Sequence, residues 1–336
     1  MFEIKHTLCP SCSVGCGINV ILDNEEIVGT FPYKRHPINE GKNCSNGRSS
    51  VENIEGKLSF DSKVLDDVIG KIKSCNNEKV TVIFSGNNTN EDLQAIKSLC
   101  DSKGFNVIAY ADNLKNFDPV ASYDDIEKAS NLFVIGNILY ENPLVGRRIV
   151  RAKENGAKIF VNDDLENSPT ANITDEFTSV SVKEFLESIA PDESSVILFN
   201  EIDSVEDLDL LESADSKLLP VYSKSNTKGA LNLVEATSKE DALELLDNSE
   251  VLLVFNDDIV NEFDFEFKSI PQMIVFSPFQ NDTTEIADFV IPIKSWLECD
   301  GSFTNAEGLT QEFSSVYESE NMGIVEIIEK INGEVE

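Results

Sequence analysis

The stretch VTVIFSGNNTNEDLQAIKSLCDSKGFNVIAYA, from Val80 to Ala111, carries the pattern that decides the fold. It contains two short apolar runs, VTVIFSG and FNVIAYA, and the helical pattern NEDLQAIKSLCDSKG lies between them. Each run is continuously apolar rather than alternating, which is typical of parallel strands buried on both faces. The stretch therefore predicts a strand, a helix and a second, parallel strand.

The same alternation continues along the chain. Helical patterns such as SVEDLDLLESA and SKEDALELLDNS separate most of the later runs, and the second of these opens with Ser238 as an N-cap. The later runs are NLFVIGN (131–137), AKIFVND (157–163), SSVILFN (194–200), SKLLPVY (216–222), EVLLVFND (250–257) and QMIVFSP (272–278). Together they predict a doubly wound α/β body with parallel sheets. Eight strands fit one large sheet or two smaller domains.

The residues that precede this α/β body lack its regular alternation of strands and helices. Residues 1–56 predict a small irregular domain, in which GINVILD and EIVGTFP are strand-like and flank a turn at Asp23–Asn24. Helical periodicity follows in SKVLDDVIGKIKS (62–74), and an acidic, less patterned stretch at 174–194 indicates a seam within the body. We predict three domains: 1–56, a first α/β domain at 57–190, and a second at 191–336 whose C-terminal segment returns to the first.

Four cysteines in the first domain form a potential metal site. They lie in CPSCSVGC and NCSNGR, as C-x2-C-x3-C followed after 27 residues by a fourth cysteine: Cys9, Cys12, Cys16 and Cys44. Iron–sulfur clusters are held by thiolates with such short spacings, whereas zinc sites usually pair two short clips, and the second clip is missing here. The pattern favours a [4Fe–4S] cluster over zinc or a disulfide. The isolated Cys75, Cys100 and Cys299 are expected to be structural thiols.

The composition narrows the classes of partner. The formal net charge is −34, with 61 acidic and 27 basic residues. No basic patch is available for nucleic acid, and anionic membranes are disfavoured for the same reason. The apolar runs are too short for membrane insertion and no signal peptide is visible, so we expect a cytoplasmic protein, where disulfides are rare. The acidic surface is either simply solvated or docks a basic partner subunit.

The sequence offers few groups for catalysis by side chains alone. No G-x-G-x-x-G follows a strand, there is no Walker A sequence, and both histidines, His6 and His36, lie in the cysteine-containing domain. Polar residues follow three predicted strands, at 136–137, 163–164 and 256–258, where open α/β sheets bind ligands. Any chemistry is therefore expected to come from a cofactor.

Three motifs in order carry a family resemblance: CPSCSVGC, GNILYENPLVGRRIVRAKENGAKIFVND (136–163) and TTEIADFVIPIKSWLECDGSFTNAEG (283–308). The chain resembles the molybdopterin (Mo/W) oxidoreductase family, in particular formate dehydrogenase alpha subunits. The resemblance implies domains I–III of formate dehydrogenase and DMSO reductase, with the four cysteines as [4Fe–4S] ligands. It also implies a Mo- or W-pterin site that involves Arg48, Gly136, Asn137, Asp163, Asp300, Gly301, Asn305 and Glu307.

The chain departs from the family pattern at several positions. Asn46 stands where relatives commonly have Lys or Arg, and Arg48 follows two residues later. The segment 111–131, which corresponds to the loop that carries the family's metal ligand, is short and has no cysteine; Asp112 or Asp118 could in principle ligate a metal. NDDLENS replaces the family's D-P-R segment. We also expect no counterpart of the C-terminal barrel domain.

These observations leave three hypotheses for the function. The first is an iron–sulfur oxidoreductase subunit that passes electrons through a [4Fe–4S] cluster to other redox subunits, without Mo/W catalysis of its own. The second is the catalytic subunit of a split formate dehydrogenase or formylmethanofuran dehydrogenase-like enzyme, which would bind a Mo/W-pterin. The third is a zinc-stabilised binding protein with no redox role. The sequence alone leaves open whether the chain is itself an enzyme.

Overall fold

The structure is a computed structural model that describes residues 2–24, 26–51, 58, 62–189 and 191–333. Residues 2–51, here called the cysteine domain, form a small antiparallel sheet and a short helix: Phe2–Leu8 (β1), Gly17–Asp23 (β2), Glu26–Pro32 (β3) and Ser45–Ser49 (α1). β2 lies in the centre and pairs with both neighbours. The two predicted strands of this domain are present, and β1 is an additional strand.

The rest of the chain alternates strands with helices. The strands are Val80–Phe84 (β4), Asn106–Ala109 (β5), Asn131–Ile135 (β6), Lys158–Asn162 (β7), Glu176–Thr178 (β8), Ser195–Phe199 (β9), Lys217–Pro220 (β10), Val251–Phe255 (β11), Gln272–Ser277 (β12), Phe289–Pro292 (β13), Gly301–Thr304 (β14) and Thr310–Phe313 (β15). All eight predicted strands are present, and their fully buried residues in β4, β9 and β11 confirm the predicted two-sided burial.

The helices between the strands begin at side-chain caps in several cases, and the predicted cap Ser238 accepts a hydrogen bond from the Asp241 amide at 3.1 Å. The helices are Ser62–Ser74 (α2), Asn90–Lys103 (α3), Tyr123–Lys128 (α4), Ile138–Glu141 (α5), Pro143–Glu154 (α6), Val182–Ser188 (α7), Val205–Glu212 (α8), Thr227–Leu233 (α9), Lys239–Asp247 (α10), Asp282–Ile286 (α11) and Ile324–Asn332 (α12). No helix in the described ranges has the length and apolar character needed to cross a membrane.

The body contains two parallel sheets of five strands each. The first, here called the flanking sheet, has the order β13-β12-β11-β4-β5. The second, here called the middle sheet, has the order β10-β9-β6-β7-β8. The α/β class with parallel, doubly wound sheets is therefore confirmed. The short edge strands β8 and β13 complete the two sheets, and the hairpin of β14 and β15 stands apart from both.

The sheets draw their strands from separated parts of the chain. The chain leaves the flanking sheet after β5, builds the whole middle sheet, and returns to the flanking sheet at β11. Residue 190, the predicted end of the first α/β domain, lies outside the described residues, but the strands on either side of it, β8 and β9, belong to one sheet. The predicted boundary at 56–57 also lies outside the described residues. As folding units, the three domains stay a prediction.

The cysteine domain and the middle sheet share one hydrophobic core. Val14, Ile18 and Val20 of the cysteine domain belong to the same buried cluster as Leu132 of β6 and Ile149 of α6. The flanking sheet is covered on one face by α2, α3 and α12 and on the other by α10 and the segment 259–270. Because the first core spans both units, the position of the cysteines is tied to the position of the middle sheet.

Charged contacts reinforce this attachment, and they explain the arginine-rich GRRIVR segment of α6. The buried Arg148 donates to the Ile38 carbonyl at 2.8 Å and pairs with Glu127 at 2.8 Å. Glu40 of the cysteine domain pairs with Arg147 at 3.1 Å and also with Arg151. The hydrogen bond from Arg151, assisted by Arg147, lowers the pKa of Glu40 to about 2.

We predict that Glu40→Gln lowers the free energy of unfolding at neutral pH by up to about 1 kcal/mol, because the ion pairs are partly exposed. The pKa of Glu40 is depressed in the folded state, so its contribution is complete above the unfolded pKa of about 4.3 and decreases as the pH falls toward 2. Denaturant titrations should therefore show a difference from the unmodified protein at pH 7 that narrows below pH ~4.5.

The matched control is Glu187→Gln on α7, an exposed carboxyl for which the described residues show no ion pair. It should leave the stability unchanged at both ends of the pH range. A difference between Glu40→Gln and the unmodified protein that is independent of pH would contradict the assigned role.

Candidate metal centre

The four cysteines lie at the ends of the elements of the cysteine domain. Cys9 follows β1 and Cys16 precedes β2, and the amide of Cys9 donates to the carbonyl of Cys16 at 2.8 Å, which closes the loop that carries Cys12. Cys44 is the N-cap of α1, and its sulfur accepts a hydrogen bond from the Gly47 amide at 3.3 Å. The four thiols, none of which is in a disulfide, line one pocket.

The wall of this pocket includes a residue without a side chain and two residues from the α/β body. A Cβ atom placed on Gly47 would lie 3.6 Å from the Cys9 sulfur and 3.7 Å from the Cys44 sulfur. Pro143 and Leu144, at the start of α6, form an apolar wall. The missing side chain at position 47 thus leaves open the space next to two of the four sulfurs, as a bulky metal group requires.

Burial makes three of these thiols poor acids in the absence of a metal. It raises the pKa of Cys12 to about 12, an effect to which the neighbouring Cys9 adds, and it also raises the pKa of Cys9 and of Cys16. A thiolate is the metal-binding form, so the positive charge of a bound metal would replace the protons here. Four free thiols around one apolar pocket match the donor set of an iron–sulfur cluster.

The pocket also contains an amide without a partner. Both polar atoms of the Asn43 side chain are buried and make no hydrogen bond to the described residues. Asn43 lines the same pocket as the cysteines. In the described part of the chain, no three His, Cys, Asp or Glu side chains converge as ligands of a single metal ion. The four sulfurs line one pocket, and an iron–sulfur cluster takes its thiolate ligands at separate iron atoms.

The histidines of the cysteine domain have structural partners. His36 accepts a hydrogen bond from the Gly17 amide at 3.1 Å, and burial lowers its pKa. Its ring occupies the space that a Cβ on Gly17 would need, at 2.3 Å. His6 stacks on Tyr33 with ring centroids 4.3 Å apart. Both therefore shape the small sheet next to the cysteines.

The late segment at 300–311, which the sequence assigned to a pterin site, contacts the cysteine loop. The amide of Ala306 donates to the Ser13 carbonyl at 2.8 Å, and Gln311 donates to the Gly15 carbonyl at 3.2 Å. Asn305 lies against Gly15, whose φ of 78° and close neighbours exclude a side chain. The segment covers the loop between Cys12 and Cys16 and fixes its path.

The other predicted cofactor residues are held by nearby protein groups. Glu307 accepts from the Tyr123 amide at 2.9 Å, and Asp300 from the Ser315 amide at 2.8 Å. Asn137 accepts from the Thr170 hydroxyl and Asp163 from the Ser168 hydroxyl, at 2.9 and 2.8 Å. The remaining positions are the turn Gly136 with φ 91°, Gly301 beside Thr89, and the exposed Arg48 in α1. Their assignment to a pterin site stays a prediction.

A crevice of about 480 Å³ lies at the carboxyl ends of the strands of both sheets. This is the position at which open α/β sheets bind ligands. It is strongly acidic, since two lysines, Lys224 and Lys239, face six carboxyl groups: Asp112, Glu141, Glu201, Asp203, Glu240 and Glu262. None of the eight predicted cofactor residues is among its lining residues in the described part of the chain.

The electrostatics of this crevice show mutual repulsion. Burial, followed by the charges of Asp112 and Asp163, raises the pKa of Glu141. Burial and the charge of Asp203 raise the pKa of Glu201 in the same way. An additional anion would raise this repulsion further, so the crevice favours neutral or cationic groups over phosphates. The sequence analysis missed it because its acids come from separate loops, within a generally acidic chain.

Comparisons with known proteins agree with the architecture. The Molybdopterin oxidoreductase Fe4S4 domain matches residues 2–56. F420-dependent formate dehydrogenase 1 subunit alpha of Methanococcus maripaludis is 32% identical over 204 residues, which are 52% of this chain and 30% of the relative. The F420-dependent formate dehydrogenase subunit alpha of Methanocaldococcus jannaschii is 31% identical over 191 residues, 48% of this chain and 28% of the relative. The matched part is thus under a third of these relatives.

Solved structures share the fold at low identity. Acetylene hydratase from Pelobacter acetylenicus superposes with a TM-score of 0.67 at 12% identity, over 98% of this chain and 69% of that one. A chain of the formyltransferase/hydrolase complex FhcABCD from Methylorubrum extorquens gives a TM-score of 0.53 at 12% identity, over 82% of this chain and 96% of that one. These two likenesses concern the fold alone.

The Fe4S4 domain match covers the part of the chain that contains the four cysteines. In this domain the chain is similar to the molybdopterin oxidoreductase family, and formate dehydrogenase alpha subunits are among its relatives. The Fe4S4 domain match supports the predicted [4Fe–4S] cofactor, and the curated relatives confirm the resemblance to formate dehydrogenase alpha subunits. The assignment of the individual ligands stays a proposal.

The open space at Gly47 generates a prediction. Gly47→Ala should leave the fold intact, because its Cβ would meet both sulfurs at ordinary contact distances and alanine favours helix. The same Cβ would crowd a cluster, so iron and sulfide per chain should fall by more than half. The measurement is iron and sulfide analysis after anaerobic reconstitution, with circular dichroism as the check of folding.

Gly70→Ala in α2 is the matched control, because a Cβ there would meet no atom within 4 Å. It should retain full iron and gain up to about 1 kcal/mol of stability. Equal iron in both variants would show that the space at Gly47 is not needed by the cluster.

Proposed function

We propose that the chain is an electron-transfer subunit that holds a [4Fe–4S] cluster at Cys9, Cys12, Cys16 and Cys44 and has no Mo/W catalysis of its own. It would act in the cytoplasm in a complex with other redox subunits. The acidic crevice supports the second part of this proposal, the lack of Mo/W catalysis. A molybdopterin carries phosphate, and the ligand crevice at the strand ends presents six carboxyl groups against two lysines.

The chain's own residues supply three functions at the cluster. The four thiols would bind iron, and the bound cluster would supply one-electron redox chemistry. Pro143 and Leu144 exclude water from one side of the pocket, and the Gly47 amide stabilises the Cys44 thiolate through its hydrogen bond. Cys12 and Cys44 are only half-buried, so this side of the pocket lies close to the surface where a partner would exchange electrons.

A catalytic subunit of a split formate dehydrogenase or formylmethanofuran dehydrogenase-like enzyme is the second candidate. It is supported by the curated relatives, which are formate dehydrogenase alpha subunits. Against it stand the acidic crevice and the absence of a cysteine between residues 111 and 131. If the chain were such a catalytic subunit, Asp112 would be a potential metal ligand. In the structure, however, its carboxylate accepts hydrogen bonds from the amide and hydroxyl of Ser223.

Metal and pterin analysis of anaerobically purified protein separates these candidates. We expect about four iron atoms and as many sulfides per chain, without molybdenum, tungsten or pterin. Stoichiometric Mo or W with a pterin would establish the catalytic candidate instead. A colourless protein that contains one zinc ion would establish a zinc-stabilised binding protein and exclude both redox functions.

Substitution of a single ligand tests the assignment of the cysteines. Cys12→Ser should abolish the cluster and lower the stability of the cysteine domain, because metal binding is coupled to folding in small metal domains. Cys75→Ser is the control, since Cys75 does not line the cysteine pocket and its thiol donates to the Lys71 carbonyl at 3.2 Å. The measurement is iron and sulfide content. Full iron and sulfide in Cys12→Ser would exclude this residue as a ligand.

A further inference from the structure

We infer that the Asn43 side-chain amide donates a hydrogen bond to a sulfur of the cluster and thereby raises its reduction potential. The inference rests on the proposed [4Fe–4S] centre and deepens it. Asn43 immediately precedes Cys44 and lines the cysteine pocket, and both of its side-chain polar atoms are buried without a hydrogen-bond partner in the described residues. It is neither one of the proposed metal ligands nor one of the eight predicted cofactor residues.

The position of the amide follows from its distances to a common point. A Cβ atom built on Gly47 would lie 3.7 Å from Cγ of Asn43, 3.6 Å from the Cys9 sulfur and 3.7 Å from the Cys44 sulfur. The carboxamide and the two sulfurs therefore surround the same small space. A group bound by those sulfurs would come within reach of the amide, since a side-chain amide extends its donors beyond Cγ.

Asn39, in the same loop, shows how a buried amide is normally bonded, whereas both polar atoms of Asn43 lack a partner in the described residues. Asn39 is buried and fully bonded: its oxygen accepts from the Gly17 amide at 3.0 Å, and its nitrogen donates to the carbonyls of Gly17 at 2.9 Å and Lys42 at 2.7 Å. A buried amide without such bonds loses its hydration without compensation. The Asn43 amide is buried and gains no hydrogen bond from the described residues. We therefore expect its partner to come with the cofactor.

The rest of the pocket lining leaves sulfur as the acceptor. Val14, Pro143 and Leu144 have apolar side chains, and the Ser11 hydroxyl already donates to the Asn46 carbonyl and accepts from the Cys9 thiol. The thiols, and the sulfides of a cluster, are the acceptors that remain. Because neither polar atom of the amide is bonded, it can turn its NH₂ group toward them without breaking a hydrogen bond.

The expected consequence concerns the reduction potential. A reduced cluster carries one more negative charge than the oxidised cluster, and a hydrogen bond to its sulfur stabilises the reduced form more. Removal of the donor should therefore make the cluster harder to reduce. Asn43→Leu removes the NH₂ group and approximately keeps the size of the side chain, which makes it suitable for the test.

The experiment is a redox titration of the anaerobic full chain, followed by electron paramagnetic resonance of the reduced cluster. In Asn43→Leu we expect the ratio of reduced to oxidised cluster at a fixed potential to fall about tenfold, which is ~59 mV for a one-electron couple. Asn46→Leu is the control, because Asn46 is on the other side of Cys44 and its side chain is exposed. Its potential should equal that of the unmodified protein.

A second measurement on the unmodified protein covers the case in which Asn43→Leu fails to take up iron. Pulsed electron–nuclear double resonance should detect a coupled proton that is lost in D₂O and a coupled nitrogen whose signal changes when the asparagine is labelled with ¹⁵N. A cluster whose potential is unchanged in Asn43→Leu, or one without this signal, overturns the role of Asn43 and leaves the proposed function standing. A protein that binds no cluster at all overturns both.

Discussion

The hydrophobic core shared by the cysteine domain and the middle sheet is the interaction on which the metal centre depends. Val14 and Ile18, which flank Cys16, are packed in the same core as Leu132 of the middle sheet and Ile149 of α6. Burial of such apolar surface is the dominant favourable contribution to folding. The first turn of α6 also forms the wall of the cysteine pocket. The site is therefore built by two parts of the fold together.

The late segment at 300–311 also fixes the cysteine loop, through contacts on its other side. Ala306 and Gln311 bond the carbonyls of Ser13 and Gly15, so the loop that carries three of the four cysteines is held between the core and this segment. The family motif at this position is thus used here for support of the cysteine loop. Asp300 and Glu307 in this segment accept hydrogen bonds from the amides of Ser315 and Tyr123.

The sequence predicted most of the strands and helices of the body, but it did not predict how the strands pair in the two sheets. The apolar runs of β4, β6 and β11 indicated buried parallel strands because two-sided burial leaves a local signature. The pairing of β4 with β11, 171 positions apart from Val80 to Val251, leaves no such signature, and the division of the body at residue 190 followed from local pattern alone. β8 was missed because a three-residue edge strand is too short to show periodicity. The cysteines were evident from spacing, whereas the acidic crevice and the unpaired amide of Asn43 exist only through tertiary packing.

The insertion of the middle sheet within the flanking sheet fixes the order in which the parts can assemble during synthesis. The middle sheet is complete once β10 has been made, while β4 lacks its central partner until β11 emerges. The segment that covers the cysteine loop follows after both sheets. A nascent chain therefore passes through a stage at which the pocket wall of α6 is in place and the cysteine loop is still uncovered. During that stage the loop between Cys12 and Cys16 lacks the hydrogen bonds that Ala306 and Gln311 later make to its carbonyls.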